Sequence, residues 1–153
     1  MEMRPVVHSM TADLLRKHAT LVMKALGCGH TETVYHRAMI TSLNSKGIQH
    51  RSEVACPVMF MGEIVGSGRA DLVVGDLVVE LKANRKCPSE ASAQLNKYVE
   101  NLSEIERRPY RGMVINFGQA TQRVETIEEK TKALKSRFFH DVEEIQTGKR
   151  RRL

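Results

Sequence analysis

Residues 69–82 read RADLVVGDLVVELK, and this stretch decides the fold. Two apolar runs flank Gly75-Asp76, a dipeptide typical of turns between strands. The pattern predicts two neighbouring antiparallel strands, Ile64–Val74 and Leu77–Ala83. Asp71 lies on the first of them, and the second contains a Glu-Leu-Lys triplet near its end.

The polar residues of this stretch form a candidate metal site. Glu80 and Lys82 are two residues apart and share one face of the sheet, while Val79 and Leu81 point to the other. Burying such charges costs several kcal/mol unless they are paired or bind an ion. Together with Asp71, they provide the hard oxygen ligands that Mg²⁺ or Mn²⁺ prefers. Such an ion would hold a scissile phosphate, with Lys82 positioning water or stabilising charge. An ordinary salt bridge across the sheet is the alternative.

The rest of the chain predicts a mixed sheet with helices on both faces. Hydrophobic spacing indicates three helices before the C-terminal segment, at Thr11–Leu26, Thr31–Lys46 and Ser89–Leu102. The stripe of the first helix includes Leu15 and Leu21, which are therefore expected in the core.

Three further segments of the chain indicate strands. Alternating or buried apolar runs place them at Val54–Phe60, Gly112–Phe117 and Arg123–Ile127. Pro57 favours an edge position for the first of these, because proline cannot donate a ladder hydrogen bond.

Three polar residues on the helices have two interpretations each. Glu32 heads the stripe that Tyr35 continues, so it either lies at a solvated helix start or points towards the metal site. Gln94 and Tyr98 are four residues apart and share a helix face. They contact phosphate or orient water at the site, or they are a surface glutamine and a core tyrosine.

Five ordered motifs resemble the GxxExxY family, a branch of the PD-(D/E)XK nuclease superfamily. The first is Gly29-His30-Thr31-Glu32-Thr33-Val34-Tyr35, which has the G-x-x-E-x-x-Y pattern. The others follow in the family's order: Arg69-Ala70-Asp71, Glu80-Leu81-Lys82-Ala83, Gln94-Leu95-Asn96-Lys97-Tyr98 and Ile115-Asn116-Phe117-Gly118. The resemblance spans residues from about 14 to 127.

This resemblance implies an α/β (α+β) fold with a restriction-endonuclease-like αβββαβ core and Mg²⁺-dependent phosphodiester chemistry. It implies that the metal and catalytic residues are Glu32, Asp71, Glu80 and Lys82. Of these, the three carboxylates are the candidate metal ligands. Gln94 and Tyr98 match the accessory Q-x-x-x-Y pattern of RecB-like nucleases. The chain departs from the family at Ala70, where proline is usual, and around Gly29, where Cys28 and His30-Thr31 replace proline and leucine.

Composition favours an intracellular, soluble protein, cytoplasmic or nuclear, with a polyanionic partner. Of 153 residues, 24 are Lys or Arg and 18 Asp or Glu, so the formal charge is +6. Such a balance favours nucleic acid, DNA in the first place, and the expected contacts are Arg85, Lys86 and Lys97.

We expect no membrane segment or signal peptide. The three cysteines form no CxxC pair, which predicts reduced thiols.

The chain is divided into a nuclease-like domain, residues 1–127, and a charged helical extension with a basic tail, residues 128–153. Three functions are open at this point. The first is a metal-dependent nuclease, and the second is a non-catalytic nucleic-acid-binding module on the same fold. The third is a structural or assembly subunit, with homo-oligomers or a partner held through the C-terminal extension.

Overall fold

The computed structural model describes residues 4–129, with side chains from Met10 onward. Its elements are α1 (Arg4–Leu26), α2 (Glu32–Ser45), β1 (Arg51–Phe60), β2 (Glu63–Val74), β3 (Leu77–Lys82), α3 (Ser89–Glu106), β4 (Arg111–Phe117) and β5 (Val124–Glu129). The described strands form one sheet in the order β1-β2-β3-β4-β5. Among these described strands, β3 and β4 alone run parallel, because α3 carries the chain back across the sheet between them. The predicted mixed sheet with flanking helices is confirmed.

Two hydrophobic cores lie on opposite faces of the sheet. The larger core packs α1 and α2 against side chains that include Val79 of β3 and Phe117 of β4. The smaller core packs α3 against the other face through Leu95 and Val99. Because residues of β3 alternate between the two cores, Glu80 is directed to the α3 face.

The predicted elements are present, with shifted ends. β1 is an edge strand, as Pro57 indicated. α3 continues to Glu106, where Arg107 ends it in the left-handed conformation. β5 runs to Glu129, so the helix predicted from residue 128 is wrong at its first two positions. The remainder of that predicted helix, and of the extension, lies outside the described residues.

The buried stripe of α1 differs from the predicted one. Leu21 is 49% exposed, although hydrophobic spacing placed it in the core. Ala12 and Ala19 are buried instead, together with Leu15 and Val22. Small alanines allow close helix-to-sheet contact but add little to a hydrophobic pattern, so hydrophobicity alone does not select this face.

Two further features of the described residues concern the cysteines and the helices. All three cysteines, Cys28, Cys56 and Cys87, are free thiols. Within residues 4–129, no helix combines the length and the apolar character that crossing a bilayer requires.

Candidate metal and active site

The regular pairing of β2 with β3 ends next to Asp71. The last paired residues are Leu72 and Val79. Beyond them, Asp71 Oδ2 accepts a hydrogen bond from the backbone N–H of Leu81 at 2.7 Å. The carboxylate therefore takes the place that a strand carbonyl would occupy, and it lies between the two strands beside Glu80.

The backbone of β1 and β2 is irregular at this level. Ala70 and Val73 both pack in the α3-side core although they are three residues apart, so strict alternation breaks at Asp71. On β1, Glu53 lies between the paired positions Ser52 and Val54 with a φ of 50°. Irregular strand geometry of this kind often redirects a side chain near a functional site.

Glu80 is a buried carboxylate with an unused oxygen. The residue is 6% exposed, and its Oε2 has no hydrogen-bond partner among the described residues. Its Oε1 lies 3.6 Å from Lys82 Nζ. Burial raises the pKa of Glu80 to about 7, and the Asp71 carboxylate adds to that effect while Lys82 opposes it. Burial also raises the pKa of the partly buried Asp71, against the hydrogen bond from Leu81. Two crowded carboxylates with reduced access to water are an arrangement that a cation stabilises.

Glu32 is connected to the Asp71 and Glu80 carboxylates by way of Lys82. It is the first residue of α2, its side chain is half-exposed, and its Oε1 lies 4.0 Å from Lys82 Nζ. The lysine thus lies between two carboxylates from different elements. Asp71 therefore lies beside Glu80, and Lys82 approaches both Glu80 and Glu32, but the predicted ligands Glu32, Asp71 and Glu80 do not form a three-carboxylate group that could hold an ion.

The donor set suits a hard cation held in part by other ligands. In the part of the chain that the structure describes, no three His, Cys, Asp or Glu side chains form a group that could hold a metal ion. Mg²⁺ commonly uses only one or two carboxylates, with waters and substrate phosphates completing its shell. Asp71 and Glu80 fit this requirement, because Glu80 Oε2 is buried without a described partner.

The accessory pair is joined by its own hydrogen bond. Gln94 Nε2 donates to Tyr98 Oη at 2.7 Å, one turn along α3. The ring of Tyr98 packs on the backbone of Gly68, where a Cβ would overlap the ring. Gly68 is therefore needed for the contact between α3 and β2.

The three predicted nucleic-acid contacts are exposed. Arg85 and Lys86 lie in the loop between Lys82 and α3, and Lys97 lies on α3 itself. Arg85 and Lys86 follow the Glu-Leu-Lys strand closely, so the basic loop begins at the candidate site.

Comparison with known proteins identifies the family. A sequence model of the PD-(D/E)XK nuclease superfamily matches residues 9–129. The chain belongs to this superfamily. A solved structure titled "Crystal structure of SSO0001" aligns with a TM-score of 0.47 and 14% sequence identity, covering 78% of this chain. The alignment spans 59% of the SSO0001 chain. No curated protein matches significantly.

Two residues of this PD-(D/E)XK protein were left without a role by the sequence patterns. Asn116 is fully buried in β4, and Gln119 follows that strand. Asn116 bonds to Asn84 in the loop after β3, and Gln119 bonds to Gly29 in the loop before α2 and to Tyr35 on α2. A signal was present for Asn116, because an amide between Ile115 and Phe117 in a buried strand must find partners. Nothing in the pattern around Gln119 marked it.

Glu80 makes the stability of the metal-free PD-(D/E)XK domain depend on pH. Its pKa is about 7 in the folded state against an ordinary 4.5. Between these values the folded state holds a proton that the unfolded chain has released. The stabilisation is therefore complete below about pH 4.5 and is lost as the pH rises through 7. The loss from this group is on the order of 3 kcal/mol.

We expect the unfolding temperature, measured in a chelator, to fall from this cause between about pH 5 and pH 8, by linkage. Glu80→Gln removes the titrating group and should flatten that fall. Added Mg²⁺ should raise the unfolding temperature more at about pH 8 than at about pH 6, because the ligands must be deprotonated. Equal pH profiles for the wild type and the Gln variant would contradict the assignment.

Proposed function

We propose that this protein is a metal-dependent nuclease of the GxxExxY branch, which hydrolyses phosphodiester bonds in nucleic acid. The observation that carries the proposal is the buried Glu80 carboxylate, whose Oε2 has no described partner, beside Asp71 and Lys82. Within a nuclease superfamily, two carboxylates and a lysine at one point of the sheet support phosphodiester hydrolysis better than a structural ion pair.

Asp71 and Glu80 would hold Mg²⁺ or Mn²⁺, with Glu32 as a third carboxylate nearby. Glu80 is buried and Asp71 partly buried, and both supply the oxygen ligands that these ions prefer. When bound, the ion would supply Lewis acidity towards the phosphate and favour ionisation of water. The carboxylates would also fix the phosphorus against the nucleophile by holding the ion in one place.

Lys82 would act on the reacting phosphate. Its side chain is one-fifth exposed, and its ammonium group lies between Glu80 and Glu32, at 3.6 and 4.0 Å. Both carboxylates attract the ammonium group and restrict its position. A cation fixed there can orient the attacking water or stabilise negative charge on the transition state. Gln94 and Tyr98 would assist by contacting phosphate or orienting that water.

The basic loop after Lys82 would hold the nucleic-acid backbone. Arg85 and Lys86 are exposed before α3, and Lys97 is exposed on it. We expect each alanine substitution to weaken DNA binding about equally for all sequences and to reduce the slope of log affinity against log salt by about 1. Fluorescence anisotropy at several salt concentrations measures this. Lys24→Ala, on the exposed face of α1, is the matched control, and an equal effect there would contradict the assignment.

The cleavage test uses the purified chain with Mg²⁺ or Mn²⁺. Single-stranded, double-stranded and branched DNA, and RNA, are offered as labelled substrates, with a chelator in parallel. The proposal requires that at least one substrate is cut and that the chelator stops the reaction. Cleavage that persists in the chelator would contradict metal dependence.

A second candidate is a non-catalytic nucleic-acid-binding or assembly protein on the same fold. It is favoured by the observation that no three His, Cys, Asp or Glu side chains within the described residues form a group that could hold a metal ion. This function predicts salt-dependent binding that is unchanged by neutralising Asp71, together with no cleavage of any substrate. An assembly role through residues 128–153 predicts that their removal changes the oligomeric state.

A further inference from the structure

The carboxyl end of β4 is the point where two loops of the candidate site are tied together. Asn116 Oδ1 accepts a hydrogen bond from Asn84 N at 2.9 Å, and Asn116 Nδ2 donates to Asn84 O at 3.1 Å. Asn84 follows Lys82 by two residues and therefore begins the basic loop. Its carbonyl also accepts a bond from Gln119 N at 3.1 Å. The backbone N–H and the carbonyl of Asn84, in the segment after β3, are thus both hydrogen-bonded to the end of β4 and the residues after it.

The side chain of Gln119 holds the other loop, which precedes α2. Its Oε1 accepts a hydrogen bond from Gly29 N at 2.6 Å. Its Nε2 donates to Phe117 O at 2.8 Å and to Tyr35 Oη at 3.1 Å. Gly29 lies three residues before Glu32, so Gln119 connects the end of β4 to the start of the helix that carries Glu32.

Packing around Gln119 supports this connection. The ring of Tyr35 stacks on Phe117 with centroids 4.5 Å apart, and its hydroxyl donates to Gly27 O at 2.7 Å. Gly118 makes the turn possible, because a Cβ there would lie 2.6 Å from Arg123 O. Phe117, Gly118 and Gln119 therefore each contribute to one junction, of which the sequence motif included Phe117 and Gly118 but not Gln119.

We propose that Gln119 is a positioning residue that sets the carboxylate of Glu32 against Lys82, without contacting substrate. The inference rests on the proposed nuclease function. Glu32 is half-exposed, and its described side-chain contact is the 4.0 Å approach to Lys82. Its position therefore depends on the backbone of the loop before α2, which Gln119 holds at Gly29. The backbone just after Lys82 is held by the hydrogen bonds of Asn84 to Asn116. The same end of β4 therefore holds both the Glu32 carboxylate and the Lys82 ammonium group, and it determines the distance between them.

Gln119→Met keeps the length of the side chain and removes its three hydrogen bonds. We expect kcat to fall about 10- to 100-fold, because small displacements at a reacting centre have effects of this size, while KM changes little. The decisive comparison is a double-mutant cycle with Glu32→Gln. If Gln119 acts through Glu32, the double variant is no slower than Glu32→Gln alone. Multiplied losses would overturn the proposal.

Gln122→Met is the matched control, since it makes the same change three residues along, on an exposed side chain with no described hydrogen bond. It should leave kcat unchanged. Gln119→Glu is the second variant, because its carboxylate still accepts from Gly29 N. It loses both donations of Nε2 and places a carboxylate oxygen beside Phe117 O, so the expected difference from Gln119→Met is retained protection of the Gly29 amide, and loss of that protection would count against positioning through Gly29.

Amide hydrogen exchange tests the junction independently of cleavage. In Gln119→Met, the Gly29 amide should lose protection while amides in the middle of α2 keep theirs. Gln119→Glu should keep Gly29 protected. Unchanged protection of Gly29 in the Met variant overturns the proposal even if the protein cuts no substrate. A wild type without nuclease activity would instead refute the proposed function, and the exchange result would still decide whether Gln119 holds the loop.

Discussion

Asp71→Asn is expected to reduce metal-dependent cleavage by at least about a thousandfold, which corresponds to about 4 kcal/mol in transition-state stabilisation. The change removes the negative charge of one of the two carboxylate ligands of the proposed site. The amide oxygen of asparagine can still accept the hydrogen bond from Leu81 N that Asp71 Oδ2 accepts at 2.7 Å. The local structure of β2 and β3 should therefore survive the substitution.

The same substitution should leave the metal-free fold as stable as before or make it more stable. Burial raises the pKa of Asp71, which means that the folded state disfavours its charge. Neutral asparagine avoids that penalty. Initial cleavage rates and unfolding temperatures in a chelator measure the two effects, with Asp13→Asn on α1 as the control. An Asp71→Asn protein that still cuts at a rate near that of the wild type would contradict the assignment.

Lys82→Met is expected to lower kcat about 10²- to 10³-fold, the range found when one stabilising group at a transition state is removed. Methionine preserves much of the side-chain volume but removes the ammonium group between Glu80 and Glu32. Metal binding by Asp71 and Glu80 should persist, because neither ligand is altered. Loss of chemistry with retained Mn²⁺ binding would separate the role of Lys82 from that of the carboxylates.

Calorimetric titration with Mn²⁺, together with single-turnover cleavage, measures this separation. Lys86→Met is the matched control, since Lys86 is exposed in the loop four residues later. It should affect nucleic-acid affinity without a comparable loss of kcat. The role given to Lys82 is wrong if both methionine variants lower kcat equally.

The sheet and its polar centre could be predicted because the relevant signals are local. Alternation along Leu77–Lys82 and the Gly75-Asp76 turn determine that Asp71 and Glu80 are neighbours on adjacent strands. Helical periodicity placed Glu32 one turn before the buried Tyr35, but it left open whether Glu32 lies at a solvated helix start or points towards the site. Short-range patterns of this kind are sufficient to place side chains within an element and between consecutive strands.

Other features depended on contacts distant in sequence and could not be predicted. Gln119 bonds to Gly29, 90 residues earlier, and no periodicity links such positions. The bond from Leu81 N to Asp71 arises only because regular strand pairing stops there. The exposed Leu21 shows a further limit, because tertiary packing buries Ala12 and Ala19 of α1 and leaves Leu21 in solvent.

The most direct test of the central claim is a crystal structure of the protein grown with Mn²⁺ and measured by anomalous scattering. We expect a manganese peak between the carboxylates of Asp71 and Glu80, with metal–oxygen distances of about 2 Å. That peak should be missing from crystals of Asp71→Asn grown under the same conditions. A well-ordered wild-type site with no peak at Asp71 and Glu80, at Mn²⁺ concentrations that support cleavage, would contradict the claim.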